Sequence, residues 1–511
     1  MRDLAFFYLH SSNGSRHLFT EKNGNGMNNT FNKKIIIVSN REPYALKKGQ
    51  LSRTVGGLVS ALDPLMRANN GVWIATGSPE EVKKAGERVP VPPGDGSYSM
   101  RRVSISPGDR EGYYNGYSNR FLWPLCHIAL DRIYHLRSYW QSYVKVNRLL
   151  AEAVLEECGH DSVIWLQDYH LALCAAEIRS RSPGALISLF WHIPWPPHAV
   201  FRICPQKKEL LRGLLANDLL GFQLESYKIN FMRCVEKELG AQIDMDGDSV
   251  FFEGRATYLR SFPISVDYAS FENAAASSKA GAFLKRFIKS RNLEGLFIGL
   301  SVNRLDYTKG MIKCLDVIEF FFAKYPRYRG KVSFVQVAVP TRKVEPFVSY
   351  RDRVRGKVEF INRKFSTDDW KPIEYLETDL SQTQLAALYR HAGLAIISSV
   401  YDGMNLVAKE YISSQIDLTG TLLISEFAGA AEEIPGVTKI NPYDTEGCAD
   451  EIRAAIERDP GKKRQALEEA RAYIKKHDVY RWVRKIFREM DNITDGRIPF
   501  EASGKSKLVI E

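Results

Sequence analysis

Two short runs hold the residues whose types and spacing could do chemistry. NRLDYTKG at 303–310 sets Arg304 and Lys309 five positions apart behind an apolar, β-branched run. DGMNLVAKE at 402–410 sets Asp402, Gly403 and Glu410 behind another. Gly403 falls at a strand-to-helix junction. The amides after it, of Met404, Asn405, Leu406 and Val407, have no acceptor in a first helical turn and can donate to an anion. An exposed helix end contributes only ~0.3 to 1 kcal/mol, so a diphosphate there needs fixed cations too. Arg304 can grip phosphate oxygens in a fork, and Lys309 can act as a mobile point charge. Glu410 lies about 7 Å along the helix axis from Asn405 at ~1.5 Å per residue, a distance that suits a ribose beside the phosphates. The combination reads as a nucleotide-sugar site. Taken singly, the runs also fit an ordinary βα turn with a solvated glutamate and a surface loop with an Arg304 to Asp306 contact.

Other candidates also follow apolar runs. Asp168 closes VIWLQD at 163–168 and could orient a sugar hydroxyl, while His192 stands in LFWHIPWPP at 189–197, where the prolines stiffen the loop. A structural, buried histidine beside aromatics fits His192 equally. Arg41 follows VSN, and the paired Gly56 and Gly57 precede a helical stretch, letting backbone approach an anion. YYNGYSNRFLW at 113–123 mixes aromatic and polar groups as a sugar platform or as core packing would, and PTR at 340–342 adds the cation Arg342. Two other runs carry no site. DMDGDS at 244–249 lacks the bidentate glutamate of a calcium loop and reads as a hairpin turn, and GKKR at 461–464 is balanced by nearby acids.

The elements that must position these residues alternate. Buried-strand patterns at 34–39, 163–166 and 185–190 are separated by helical segments; the pattern pauses at 262–266 and restarts at 296–301, 332–337, 394–399 and 421–425. This predicts an α/β protein of two Rossmann-like halves with parallel sheets, joined near Ser265, with a ligand in the cleft at the strands' carboxyl ends. The expected division is a disordered extension over 1–32, a first domain over 33–264, a second over 265–483, a helix over 484–501 packing back on the first domain, and a flexible tail over 502–511. Met27 is a candidate initiator.

At 511 residues two domains are the expectation. A hydrophobic share of 44% with 26% charged residues is that of a globular chain. The net charge of +11 comes from Lys and Arg scattered among acids, which suits small anionic substrates and disfavours nucleic acid. Seven cysteines without a CxxC pair argue against disulfides and zinc and for a reducing, cytoplasmic setting. No apolar stretch is long enough to span a bilayer.

In order, SNR, VGGL, YYNGYSN, LWP, QDYHL, HIPWP, NDLLGFQ, NRLDYTKG, PTR and DGMNLVAKE resemble the trehalose-6-phosphate synthase family of glycosyltransferases, family 20, over about 34–483. The resemblance implies a GT-B fold and retaining transfer of glucose from a nucleotide-glucose, UDP-glucose or another, to glucose 6-phosphate, without a metal or other cofactor. It implies that Arg304 and Lys309 hold the donor diphosphate, Glu410 the ribose, and the amides of Met404 to Val407 the phosphates. Asp402 and His192 would contact the donor glucose, with Gly56, Gly57 and Gly403 close by. Arg41, Tyr114, Trp123, Asp168 and Arg342 would form the acceptor pocket, Arg41 and Arg342 meeting its phosphate. The implied partners are a nucleotide sugar and sugar phosphates, with neither nucleic acid nor membrane; a homo-oligomer stays open. Nothing after 483 is large enough for the phosphatase half of fused relatives.

The chain also departs from the family pattern. Enterobacterial relatives carry a second tryptophan shortly after the first, where this chain reads Trp73-Ile74-Ala75-Thr76-Gly77, and the loop over 42–55 carries Lys47, Lys48 and Arg53. Both departures are expected on the acceptor side. A relative using another acceptor, such as glycerol 3-phosphate, and a catalytically silent sugar-phosphate-binding regulator are therefore the alternatives.

Overall fold

The strand Lys34–Ser39 has four consecutive residues, Ile35 to Val38, with no exposed surface. A run apolar on both faces belongs inside a parallel sheet covered on both sides by helices. The computed structural model, which describes residues 33–47, 50–54, 57–82, 86–340, 344–494 and 496, bears this out. Ile36 pairs in parallel with Val72 on one side and Ile164 on the other. The extension over 1–32 with Met27, the tail over 502–511, Lys48, Gly56 and Arg342 lie outside the described residues.

The first sheet has ten strands in the order 242–244, 249–252, 255–261, 219–222, 186–190, 162–167, 34–39, 72–77, 98–104 and 88–91. Its interior is parallel, and antiparallel strands close both edges. One edge is built by DMDGDS: Asp244 pairs with Ser249, and Gly247 donates its amide to Asp244 Oδ1 at 3.0 Å, a hairpin turn. Strand Tyr98–Ser104 escapes an apolar-pattern reading because it carries Arg101 and Arg102. Arg101 is buried by pairing with Glu156 and Glu157, and Arg102 pairs with Glu42.

The second sheet is parallel throughout, in the order 373–376, 332–339, 297–304, 394–397, 422–425 and 438–440. The chain crosses between the sheets at 262–266. There the Ile264 amide donates to Gln223 Oε1 at 3.0 Å, and the Ile264 carbonyl accepts from Lys409 Nζ at 2.6 Å. Lys409 is buried and ion-paired to Glu433, and its bond to Ile264 fixes helix Leu406–Ser414 to the crossing.

The last helix, Val479–Thr494, starts five residues earlier than the sequence division at 484. Val479, Trp482, Val483, Ile486, Phe487 and Met490 form one buried stripe, so the helix cannot be split at 484. It lies on the first sheet. Trp482 packs 5.5 Å from Trp165 and 5.0 Å from Phe190, ring to ring, and donates to the Phe262 carbonyl at 2.9 Å. Among the described residues no helix is long and apolar enough to cross a membrane.

Candidate active site at the domain cleft

Strand Phe297–Arg304 delivers Arg304 to the carboxyl edge of the second sheet. The next turn, Tyr307–Lys309, is capped by Asp306, whose Oδ1 accepts the Thr308 amide at 3.1 Å. Gly310 ends it at φ +66, where a Cβ would lie 1.8 Å from the Ser398 carbonyl oxygen, so only glycine fits. The Val400 amide then bonds the Thr308 carbonyl at 2.9 Å. These contacts stitch the Lys309 turn to the loop carrying Asp402.

Lys309 Nζ sits 2.6 Å from Asp402 Oδ2, which also accepts from Ser399 Oγ at 3.1 Å and Asn405 Nδ2 at 3.0 Å. Burial pushes the Asp402 carboxyl up, but the Lys309 ammonium and the Asn405 amide outweigh it and hold it below the usual carboxylate range. Asn405, at φ +92, caps helix Leu406–Ser414 by accepting the Ala408 amide at 3.1 Å. The Leu406 and Val407 amides fall in the first turn, where no intrahelical acceptor reaches them. Glu410, on the same helix, accepts from Tyr389 Oη at 2.9 Å, and burial pushes its carboxyl up to about 7 despite that bond.

Across the cleft, Asp168 follows strand Ser162–Gln167 at φ +78, an uncommon conformation for a residue with a side chain. Its Oδ1 accepts the Tyr169 amide at 2.9 Å and the His192 amide at 3.2 Å. Burial raises its carboxyl to about 7, against those two amides and the charge of Arg304. His192 Nε2 lies 2.9 Å from Gln167 Oε1, and burial lowers the ring to about 3, leaving a neutral imidazole. Arg41 Nη2 donates to Tyr114 Oη at 3.2 Å, and the Tyr114 ring stacks on His170 at 5.7 Å. Tyr114 rides on wide helical turns over Glu111–Leu122, where Gly116 admits the Tyr139 ring: a Cβ there would fall 2.5 Å from it.

The two domains touch at this site. The Arg304 guanidinium carbon lies 5.5 Å from the Trp123 ring centre, and Arg132 lies 4.6 Å from that of Tyr307, one cation from each domain over an aromatic of the other. A Cβ on Gly403 would be 2.7 Å from the His192 carbonyl oxygen. Tyr227 Oη meets the Asp402 carbonyl at 3.4 Å. Arg304, Lys309, Asp402, Gly403, Trp123, Asp168 and His192 thus meet where the domains touch; Arg41 and Tyr114 adjoin them through His170, and Glu410 stands further along the helix that Asn405 caps. Gly57 begins helix Gly57–Asn69, and Thr76 donates to the Asn40 carbonyl at 2.8 Å, next to Arg41.

Sequence reasoning missed Gln167, Ser399, Tyr389, Arg132 and His127. Gln167 and Ser399 had a signal, a polar residue at the buried end of an apolar strand. His127 packs its ring 4.1 Å from that of Trp123, with Nδ1 2.8 Å from the Trp123 carbonyl oxygen, and burial lowers it to about 4. Among the described residues no group of three or more His, Cys, Asp or Glu could hold a metal ion.

The profile described as Glycosyltransferase family 20 matches residues 33–492. An alpha,alpha-trehalose-phosphate synthase [UDP-forming] A of Dictyostelium discoideum is 33% identical over 506 residues, covering 96% of this chain and 67% of that relative. A trehalose-6-phosphate synthase of Mycobacterium sp. (strain KMS) is 34% identical over 479 residues, covering 90% and 95%. Among solved structures, an alpha,alpha-trehalose-phosphate synthase (UDP-forming) from Burkholderia xenovorans in complex with glucose-6-phosphate superposes with a TM-score of 0.82 at 29% identity, covering 90% of this chain and 100% of that one. An E. coli trehalose-6-phosphate protein bound with UDP-2-fluoro glucose gives 0.81 at 29%, covering 89% and 98%. The α/β GT-B class expected from the sequence is the class shared with these structures. On the profile match and these identities, the chain belongs to glycosyltransferase family 20.

Proposed function

We propose that this protein transfers glucose from UDP-glucose to glucose 6-phosphate with retention, releasing UDP and trehalose 6-phosphate. The observation that carries the reading is the facing of Arg304, Lys309 and Asp402 against Asp168, His192 and Trp123 across one cleft. The relatives' names and their complexes with glucose-6-phosphate and a UDP-sugar support it.

In this reading the donor diphosphate lies against Arg304, the Leu406 and Val407 amides, and the protons of Lys309 that Asp402 does not use; an ammonium has three to give. These groups meet the charge that builds on the leaving phosphate, where one lost donor typically costs ~2.7 to 4 kcal/mol of barrier. Asp402, held by three donors at one oxygen, is a poor nucleophile, so no glycosyl-enzyme is invoked. The acceptor hydroxyl attacks on the face the phosphate leaves: the new C–O bond forms as the phosphate C–O bond breaks, and the hydroxyl proton passes to the departing phosphate oxygen. The protein positions and stabilises charge. The ionised Asp402 and the neutral His192 ring meet the donor glucose, Gly57 approaches it by backbone, and Glu410 holds the ribose. Arg41, Tyr114, Trp123 and Asp168 receive the acceptor, with Arg342 as a second phosphate ligand. With Arg304 and Lys309 supplying the charge, turnover should survive a chelator.

The test is a matrix of UDP-, ADP- and GDP-glucose against glucose 6-phosphate and glycerol 3-phosphate, with and without EDTA, read by product mass. A disaccharide phosphate only with glucose 6-phosphate is expected. Product only with glycerol 3-phosphate would move the assignment to the other acceptor, and binding without product in every cell would favour a regulator.

A further inference from the structure

A cavity of about 520 Å³ opens beside Glu410 at the junction of both domains and the last helix. That volume suits a small organic ligand, for which pockets run ~300 to 1,000 Å³. Leu406, Gln382 and Glu410 line it from the second domain, Tyr480 from the last helix, and Arg53 and Arg67 from the first domain. If Glu410 holds the donor ribose, as proposed above, the nucleobase is the part that enters this space.

Most polar groups on its wall are already committed. Tyr480 Oη donates to Asp267 Oδ2 at 2.8 Å, and Gln382 Nε2 to Ser270 Oγ at 2.8 Å. Arg67 is fixed by Asp63 at 2.9 Å and Tyr44 Oη at 2.8 Å, and Asp63 also accepts from Tyr44 and Tyr98. Arg53 differs. It ends strand Gln50–Arg53, opposite Tyr44 in a two-stranded hairpin, and its ion pair with Asp63, at 3.6 Å, is longer than a hydrogen bond, with 44% of its side chain exposed. The sequence expectation put this loop on the acceptor side; its Arg53 lines the same cavity as Glu410.

We infer that Arg53 reads the base of the donor nucleotide, so that the first domain contributes to donor choice. A guanidinium only donates hydrogen bonds. It therefore favours bases that turn a carbonyl oxygen to it, as uracil or guanine can, over adenine with its exocyclic amine. The inference rests on the donor orientation of the proposed function, and the experiment separates the two.

Full-length protein, unsubstituted and as Arg53→Ala and Arg53→Lys, is titrated with UDP alone by calorimetry and assayed with UDP- or ADP-glucose varied at saturating glucose 6-phosphate, and with glucose 6-phosphate varied at saturating UDP-glucose. A hydrogen bond from a charged group corresponds to about tenfold or more in affinity. Arg53→Ala should weaken UDP binding and raise the UDP-glucose KM by about that factor, with Arg53→Lys between. It should leave kcat and the glucose 6-phosphate KM within about twofold and narrow the preference for UDP- over ADP-glucose. Unchanged UDP affinity in Arg53→Ala overturns the inference, as does a defect confined to the glucose 6-phosphate KM. UDP binding that depends on Arg53, with no sugar transfer by the unsubstituted protein, would sink the proposed reaction and leave the base contact standing.

Discussion

Lys309 and Asp402 meet at 2.6 Å from the ends of neighbouring strands of the second sheet, whose residues Gly299 and Leu394 pair. The ion pair therefore joins the two loops that the proposed reaction needs in fixed register. Replacing Lys309 with Met should cost turnover about 100-fold or more, as loss of a leaving-group donor does. It should also destabilise the fold by roughly 3 to 5 kcal/mol, because Asp402 is left as a buried charge without its cation. Adding Asp402→Asn should restore stability but not turnover. Denaturation curves beside initial rates check both; recovery of turnover in the double variant would remove Lys309 from the chemistry.

The crossed pairs Arg304 with Trp123 and Arg132 with Tyr307 tie the domains together from both sides. A contact of this type contributes ~0.5 to 2 kcal/mol. Arg132→Ala and Tyr307→Leu should each lower kcat/KM by roughly 2- to 30-fold. The two combined should do no worse than either, and Tyr307→Phe, which keeps the ring, should be nearly silent. Additive losses in the steady-state cycle would show the residues acting separately.

Stability should respond to pH with a worked sign. Asp168 and Glu410 are raised by burial to about 7 in the folded protein, from ~3.9 and ~4.3 unfolded. Their contribution is fully present below about pH 4 and is lost as pH rises to 7. His192, lowered to about 3, works oppositely: its contribution is present above ~6.5 and lost as pH falls. Urea unfolding between pH 4 and 8 should therefore show a shallower fall with pH in Asp168→Asn and Glu410→Gln, and a steeper one in His192→Asn. Parallel curves for all three would refute the assignment.

Gly403→Ala tests closure by sterics alone. The new methyl would sit 2.7 Å from the His192 carbonyl oxygen, backbone against backbone, so the loops must part. Misplacement on this scale costs roughly 100-fold in rate. The expected result is that loss with an unaltered melting midpoint, since the contact joins domains rather than filling a core. Full activity would mean that transfer does not require this approach.

How far the sequence was legible depended on what local pattern can encode. Buried strands such as 34–39 and 394–397 announce themselves because both faces are apolar, and Arg304, Asp168 and Asp402 stand at or just after the carboxyl ends of strands of this kind. Strand Tyr98–Ser104 was hidden because its arginines are neutralised by glutamates far away in sequence, Arg101 by Glu156 and Glu157 of a helix and Arg102 by Glu42 of a loop. The link from Tyr389 to Glu410 was hidden likewise, since it joins neighbouring helices. That Arg53 lines a cavity with Glu410 and Tyr480 was hidden too, because the hairpin of 44–47 and 50–53 meets them only through the fold.

The helix Val479–Thr494 has a consequence for how the chain is made. Trp165 and Phe190 of the first sheet are roofed by Trp482 and Phe487, which leave the ribosome more than two hundred residues after that sheet's last strand, Arg255–Ser261. At ~5 to 20 residues per second the wait is on the order of ten to fifty seconds. Through that interval the nascent first domain carries an open aromatic seam, which makes it a natural client for chaperones that bind exposed apolar surface.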